Sequence, residues 1–92
     1  MVFTIWVVGA AVLVEAGTNL HYKEIAERVK HSGLAKLGDN GVTPAQSMGK
    51  IMRDYDNIFT MLGDGYYGLV DSEAVQNNWE IASAVARLRK MR

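Results

Sequence analysis

The chain has no cysteine, a single proline and no excess of either charge, and each shortage removes a class of explanation. Without cysteine there is neither a disulfide framework nor a thiolate metal site. The two histidines, His21 and His31, stand far apart in sequence with no third ligand at metal spacing, so no metal and no cofactor is expected. Ten basic residues against ten acidic ones give a formal net charge of zero. A basic excess, the usual mark of nonspecific nucleic-acid binding, is therefore missing, and any DNA affinity has to come from local placement of charge. Also missing are a phosphate-binding glycine loop with its Lys and Ser or Thr and a nucleophile elbow. Asp54 and Asp56 with Lys50 do not make a nuclease constellation by spacing alone, so no catalytic activity is expected.

Long hydrophobic runs are lacking as well. The apolar stretch from Val2 to Val14 falls short of the roughly 20 residues that cross a bilayer. No basic residue precedes it and no cleavage context follows, which argues against a secretory signal. The reading is a soluble intracellular protein, cytoplasmic and, in a prokaryote, nucleoid-associated, with no membrane partner. What the chain does have is apolar content: 49% hydrophobic and 22% charged residues over 92 positions describe one compact domain with a modest core.

The most informative stretch is Thr43 to Tyr55, T-P-A-Q-S-M-G-K-I-M-R-D-Y. Thr43 is suited to cap a helix with its hydroxyl. Pro44 fits the first helical position, where its missing N–H would have had no partner anyway. Met48, Ile51, Met52 and Tyr55 recur at helical spacing and form an apolar face. Gln46, Ser47, Lys50 and Arg53 line the opposite one, with Asp54 at its edge. Those four residue types read base edges and hold phosphates. An ordinary solvated helix face would show the same polarity.

Around it the elements follow in order. Residues 2–16 predict a helix stopped by Gly17, apolar nearly all round, which therefore needs cover on both faces. A second helix is expected from about Tyr22 to His31, ended by Gly33, with Ile25, Ala26 and Val29 as its buried stripe. Leu20 is read as a short strand and His21 as the residue at the turn into that helix, with Glu24 where a capping-box acid would sit. His31 is expected to cap the helix end, and residues 34–42 form a loop. After Thr43 to Tyr55, the run I-F-T-M-L-G-D-G-Y-Y-G-L-V alternates about Gly63-Asp64-Gly65, a hairpin signature. Phe59 and Met61 should point inward opposite Tyr67 and Leu69, leaving Leu62, Tyr66 and Val70 on the other face. From Asp71 a last helix is expected, acidic at its start and ending in Arg87, Arg89, Lys90 and Arg92, with Val75, Trp79, Ala82 and Val85 as its apolar stripe. The predicted fold is mostly α with a small β wing: a winged helix-turn-helix, with a three-helix core, a two- or three-stranded hairpin and an added C-terminal helix. Residues 1–70 would be the winged core and 71–92 a helix packed on the first helix or on a partner chain.

The runs E-A-G-T-N-L-H-Y-K-E-I-A-E-R-V (15–29), G-L (33–34), T-P-A (43–45), R-D (53–54) and I-F-T-M-L-G-D-G-Y-Y-G-L (58–69) resemble the HARE-HTH domain. That winged-helix module is found in Asx-like chromatin regulators, restriction endonucleases and the delta subunit of bacterial RNA polymerase. The resemblance covers roughly Ile5 to Val70. It implies a three-helix core with a short wing and a role in recognising DNA or chromatin without catalysis. Two positions depart from the family pattern. Gly49 lies inside the recognition helix, where glycine costs about 1 kcal/mol against alanine, and Asp64 stands at the wing tip where relatives often carry a basic residue.

The expected function is a DNA-binding module acting in transcription regulation or DNA transactions, with residues 44–55 in the major groove of double-stranded DNA. The contacts would come from Thr43, Gln46, Ser47, Lys50 and Arg53, joined by Lys36 and by Tyr66 of the wing. The alternative is a protein–protein interaction module, for dimerisation or docking, that does not touch DNA. A homodimer would use Trp6, Val7, Trp79, Ile81, Val85 and Leu88 on the first and last helices, and would set two recognition helices over a two-fold site.

Overall fold

In the computed structural model, which describes residues 3–35 and 45–91 and takes residues 45–47 by their backbone alone, the chain is built round one helix. That helix, α1 (Ile5–Ala16), buries every residue from Val7 to Leu13. β-branched residues weaken a helix through lost side-chain freedom. Here tertiary burial outweighs that preference, because neighbours occupy both faces. Gly17 ends α1 in the left-handed conformation, its N–H bonded to the Leu13 carbonyl.

β1 (Leu20–His21) leads straight into α2 (Tyr22–Ser32), which lays Ile25, Ala26 and Val29 on α1. Gly33 closes α2 as predicted. His31 does not cap the end of α2; it pairs instead with Glu27 one turn back, at 2.8 Å, because the left-handed Gly33 already takes the cap position. α3 (Ala45–Asp54) then packs against α2, with Met48 and Met52 fully buried. Truncating either methionine to alanine should cost about 2–5 kcal/mol. Leu34 and Ala35, placed by sequence in a loop, are buried, and Phe3 donates its N–H to the Leu34 carbonyl at 2.8 Å.

The wing consists of β2 (Phe59–Gly63) and β3 (Tyr66–Leu69), with β1 completing a three-stranded antiparallel sheet in the order β1-β3-β2. Phe59 pairs with Leu69 and Met61 with Tyr67, the partners the alternation predicts. Phe59 and Tyr67 are buried, but Met61 is 64% exposed. The register shifts between Met61 and Gly63, and by that point the hairpin has run out beyond the core. The Tyr67 hydroxyl donates to the Met61 sulfur at 3.8 Å, a contact at the rim of the interior.

The single C-terminal helix expected from Asp71 is in fact two. Asp71 accepts from the Ala74 N–H and caps α4 (Ser72–Gln76). Asn78 then caps α5 (Trp79–Lys90), its side-chain oxygen accepting from the N–H groups of Glu80 and Ile81. The break re-aims the apolar stripe. Ile81, Ala84 and Val85 turn inward onto α1, whereas Trp79 and Ala82 turn out, Trp79 to 66% exposure. Arg89 reaches the Glu15 carboxylate at 3.0 Å and ties the end of α1 to α5. The second face of α1 is thus covered within one chain. The family's winged helix-turn-helix is therefore the observed architecture, with five helices and three short strands among the described residues.

Candidate nucleic-acid interface

α3 is two-sided. Met48 and Met52 anchor it from behind, while Lys50 and Arg53 stand exposed on its outer side with Asp54 beside them. A helix held by two fully buried side chains is a rigid platform for the cations it presents. The start of the helix is Ala45 by its hydrogen bonding. Thr43 and Lys36 lie outside the described residues, as do the side chains of Gln46 and Ser47, so of the expected α3 contacts only Lys50 and Arg53 have a described position. Gly49 is buried, yet a methyl group built on it would touch only Tyr22, at an ordinary 3.9 Å. Close helix approach does not demand glycine there.

The wing is fixed to the start of α2 by a compact set of contacts. Gly63, Asp64 and Gly65 all adopt positive φ, at 96°, 56° and 83°, and so reverse the chain at the tip. The Gly65 carbonyl accepts the Tyr22 N–H at 2.9 Å. A side chain on Gly65 would meet His21 Nε2 at 2.5 Å and the Tyr22 ring at 2.9 Å, so the tip has room for glycine alone. His21 is the centre of this set. Its Nδ1 accepts from the Lys23 N–H at 3.2 Å and caps α2. Its ring stacks on Tyr22 at 4.5 Å and meets Tyr66 edge-on at 5.3 Å. The neutral ring that caps in this way carries its proton on Nε2, an assignment made from the hydrogen-bond network. Sequence reasoning placed His21 at this turn but did not find its role as a brace. The H-Y step before a helix, with Glu24 three residues on, was the available signal.

Between α3 and the wing lies an open hollow of about 260 Å³, lined by Tyr22, Gly49, Arg53, Gly65 and Tyr67. Arg53 therefore faces the cleft between recognition helix and wing, while Lys50 stands on the outer face one turn earlier. Tyr66 and Tyr67 point to opposite sides of the wing, as their adjacency requires. Tyr67 is buried and Tyr66 is nearly half exposed against His21.

The residues proposed for a dimer separate. Val7, Ile81 and Val85 fill the interior of the single chain and have no surface to offer, because the break before α5 rotates Ile81 and Val85 onto α1. Trp6 and Leu88 are half-buried against that core, and Trp6 stacks on Tyr55 at 4.8 Å. Trp79 alone of the six is largely exposed. Among the described residues no group of three or more His, Asp or Glu is placed to hold a metal ion, and no helix is long and apolar enough to cross a membrane.

No curated protein and no solved structure matches the chain. The family model of HARE-HTH, the HTH domain of ASXL and restriction endonuclease proteins, matches residues 9–72, from the middle of α1 to the start of α4. That span includes α2, α3 and the whole wing, and with it the chain belongs to the HARE-HTH family of helix-turn-helix domains.

Proposed function

We propose that the protein is a DNA-binding winged-helix module without catalytic activity of its own, acting in transcription regulation or another DNA transaction, with α3 as the helix that enters the major groove. The observation that carries this reading is the two-sided build of α3: Met48 and Met52 fully buried behind, Lys50 and Arg53 exposed in front. Membership of a helix-turn-helix family supports it. The major groove, about 12 Å wide, admits a helix of these dimensions. Lys50 would then anchor phosphate or a guanine edge, and Arg53 would hold the backbone at the cleft between helix and wing. Gln46 and Ser47, one turn ahead on the same helical face by spacing, are assigned to base edges.

Few cations take part, so binding should be weak to moderate with a shallow salt dependence. Each neutralised phosphate contributes about −0.9 to the slope of log K against log salt. Fluorescence anisotropy with a labelled duplex across a salt series tests this, using Gln46→Ala, Lys50→Ala and Arg53→Ala. Loss of Lys50 or Arg53 should weaken binding and flatten the slope by about one phosphate each. Unchanged affinity in all three variants would remove α3 from the interface.

A further inference from the structure

Asp54, Asp56, Asp64, Asp71, Glu73 and Glu80 are the charged residues of the stretch from position 54 to position 86, which contains no lysine, arginine or histidine at all. Apart from Met91, every exposed large hydrophobic residue among the described residues falls in that same stretch. The two properties meet at the root of the wing. There the Tyr55 ring stacks on Trp6 at 4.8 Å, the Ile58 N–H donates to the Tyr55 carbonyl at 3.0 Å, and the Val70 N–H donates to the Ile58 carbonyl at 2.9 Å. The start of α1, the end of α3 and both wing strands thus contribute to one apolar step, on which Val70 is 54% exposed. Asp54 and Asp56 flank Tyr55 along the chain and Asp71 follows Val70. All three are exposed, and none enters an ion pair among the described residues.

We propose that this wing root is a docking surface for a basic polypeptide segment that carries an apolar or aromatic anchor between its lysines or arginines. The apolar step supplies burial, the part of association that is not directional. The carboxylates around it choose the partner. A phosphate backbone or an anionic headgroup is repelled by them, and a neutral apolar partner would cover them without a counter-charge, at a desolvation cost. A basic segment satisfies both features at once. The surface is separate from Lys50, so docking there is compatible with duplex DNA on α3.

The Trp79→Phe variant leaves Trp6 as the one tryptophan, seated in the proposed site. The probe is a short synthetic peptide alternating lysine with leucine, labelled for anisotropy, with oligolysine and a glutamate–leucine peptide as controls. Binding of the lysine–leucine peptide should shift Trp6 emission, and the glutamate–leucine peptide should not bind. Combined Asp54→Asn, Asp56→Asn and Asp71→Asn, in which asparagine retains the α4 cap, should weaken binding about tenfold, the sum expected of three exposed charge pairs. Val70→Ser should weaken it as well, with the unfolding transition of each variant kept at that of the parent. The proposal is overturned if no lysine–leucine binding occurs, if oligolysine binds equally well, or if the three-asparagine variant binds unchanged. It is equally overturned if the protein self-associates and Val70→Ser restores the monomer, since the face then belongs to a second copy.

Discussion

The outer face of α3 and the wing beside it are both two-sided elements pinned to the same core, but they leave opposite things in the solvent. α3 buries Met48 and Met52 completely and presents Lys50 and Arg53. The wing buries Phe59 and Tyr67 and presents Met61, Leu62 and Tyr66 with an acidic tip at Asp64. A net charge of zero therefore describes a chain with a cationic helix and an anionic, partly apolar wing. In a duplex-binding geometry only one of these two elements carries the charge that phosphates attract, and the wing would have to take part by shape or not at all.

The contrast can be broken most severely from inside. Met52→Ala should lower stability by about 2–5 kcal/mol in chemical denaturation. Met61→Ala, on the wing, should stay within about 0.5 kcal/mol. Comparable losses at the two positions would mean that the wing packs as deeply as the helix. Next in size is the glycine comparison. Gly65→Ala has to hold a positive φ and displace His21, and should cost about 1–3 kcal/mol. Gly49→Ala meets no obstacle in an α-helix and should gain up to about 1 kcal/mol, read as a raised melting temperature.

His21→Ala should cost about 1 kcal/mol through the lost α2 cap. His21→Asn restores an acceptor but not the ring contacts with Tyr22 and Tyr66. Full recovery in His21→Asn would reduce His21 to a cap and remove it as a brace of the wing. The smallest effect belongs to the tip. Asp64→Asn keeps a residue tolerant of the left-handed conformation and removes one negative charge. Duplex affinity at low salt should rise less than about fivefold, on the scale of an exposed pair. A larger rise would bring the wing tip against the phosphates and sharpen its role.

Much of this fold was legible because the signals were local and agreed with each other. Gly17 and Gly33 stop α1 and α2 where the sequence places their ends, and the Gly63-Asp64-Gly65 turn sets the hairpin with Tyr66 out and Tyr67 in. The errors arose where two local rules competed. A stripe through Val75, Trp79, Ala82 and Val85 reads as one helix, but Asn77 and Asn78 interrupt it, and an asparagine cap outweighs continuity of the stripe. That misreading also placed Ile81 and Val85 on a dimer face. Contacts between distant residues left no sequence pattern to read: the Trp6–Tyr55 stack and the Glu15–Arg89 pair depend on how α1 meets α3 and α5. For the interface, spacing identified Lys50 and Arg53 as outward residues of α3, because helical periodicity is a local property. Which side of the wing would be charged depended on a count of acids along the chain rather than on any motif.

The Tyr22 N–H belongs to the first turn of α2, where a helix offers it no acceptor, and it is bonded instead to the carbonyl of Gly65 at the wing tip. Whenever the tip lifts away, that one amide is released to water while the rest of the helix stays closed. Its hydrogen-exchange rate is therefore a clock for wing opening, readable in solution without any ligand. Duplex binding that depends on the wing should slow that clock, whereas binding through α3 alone should leave it running at the free rate.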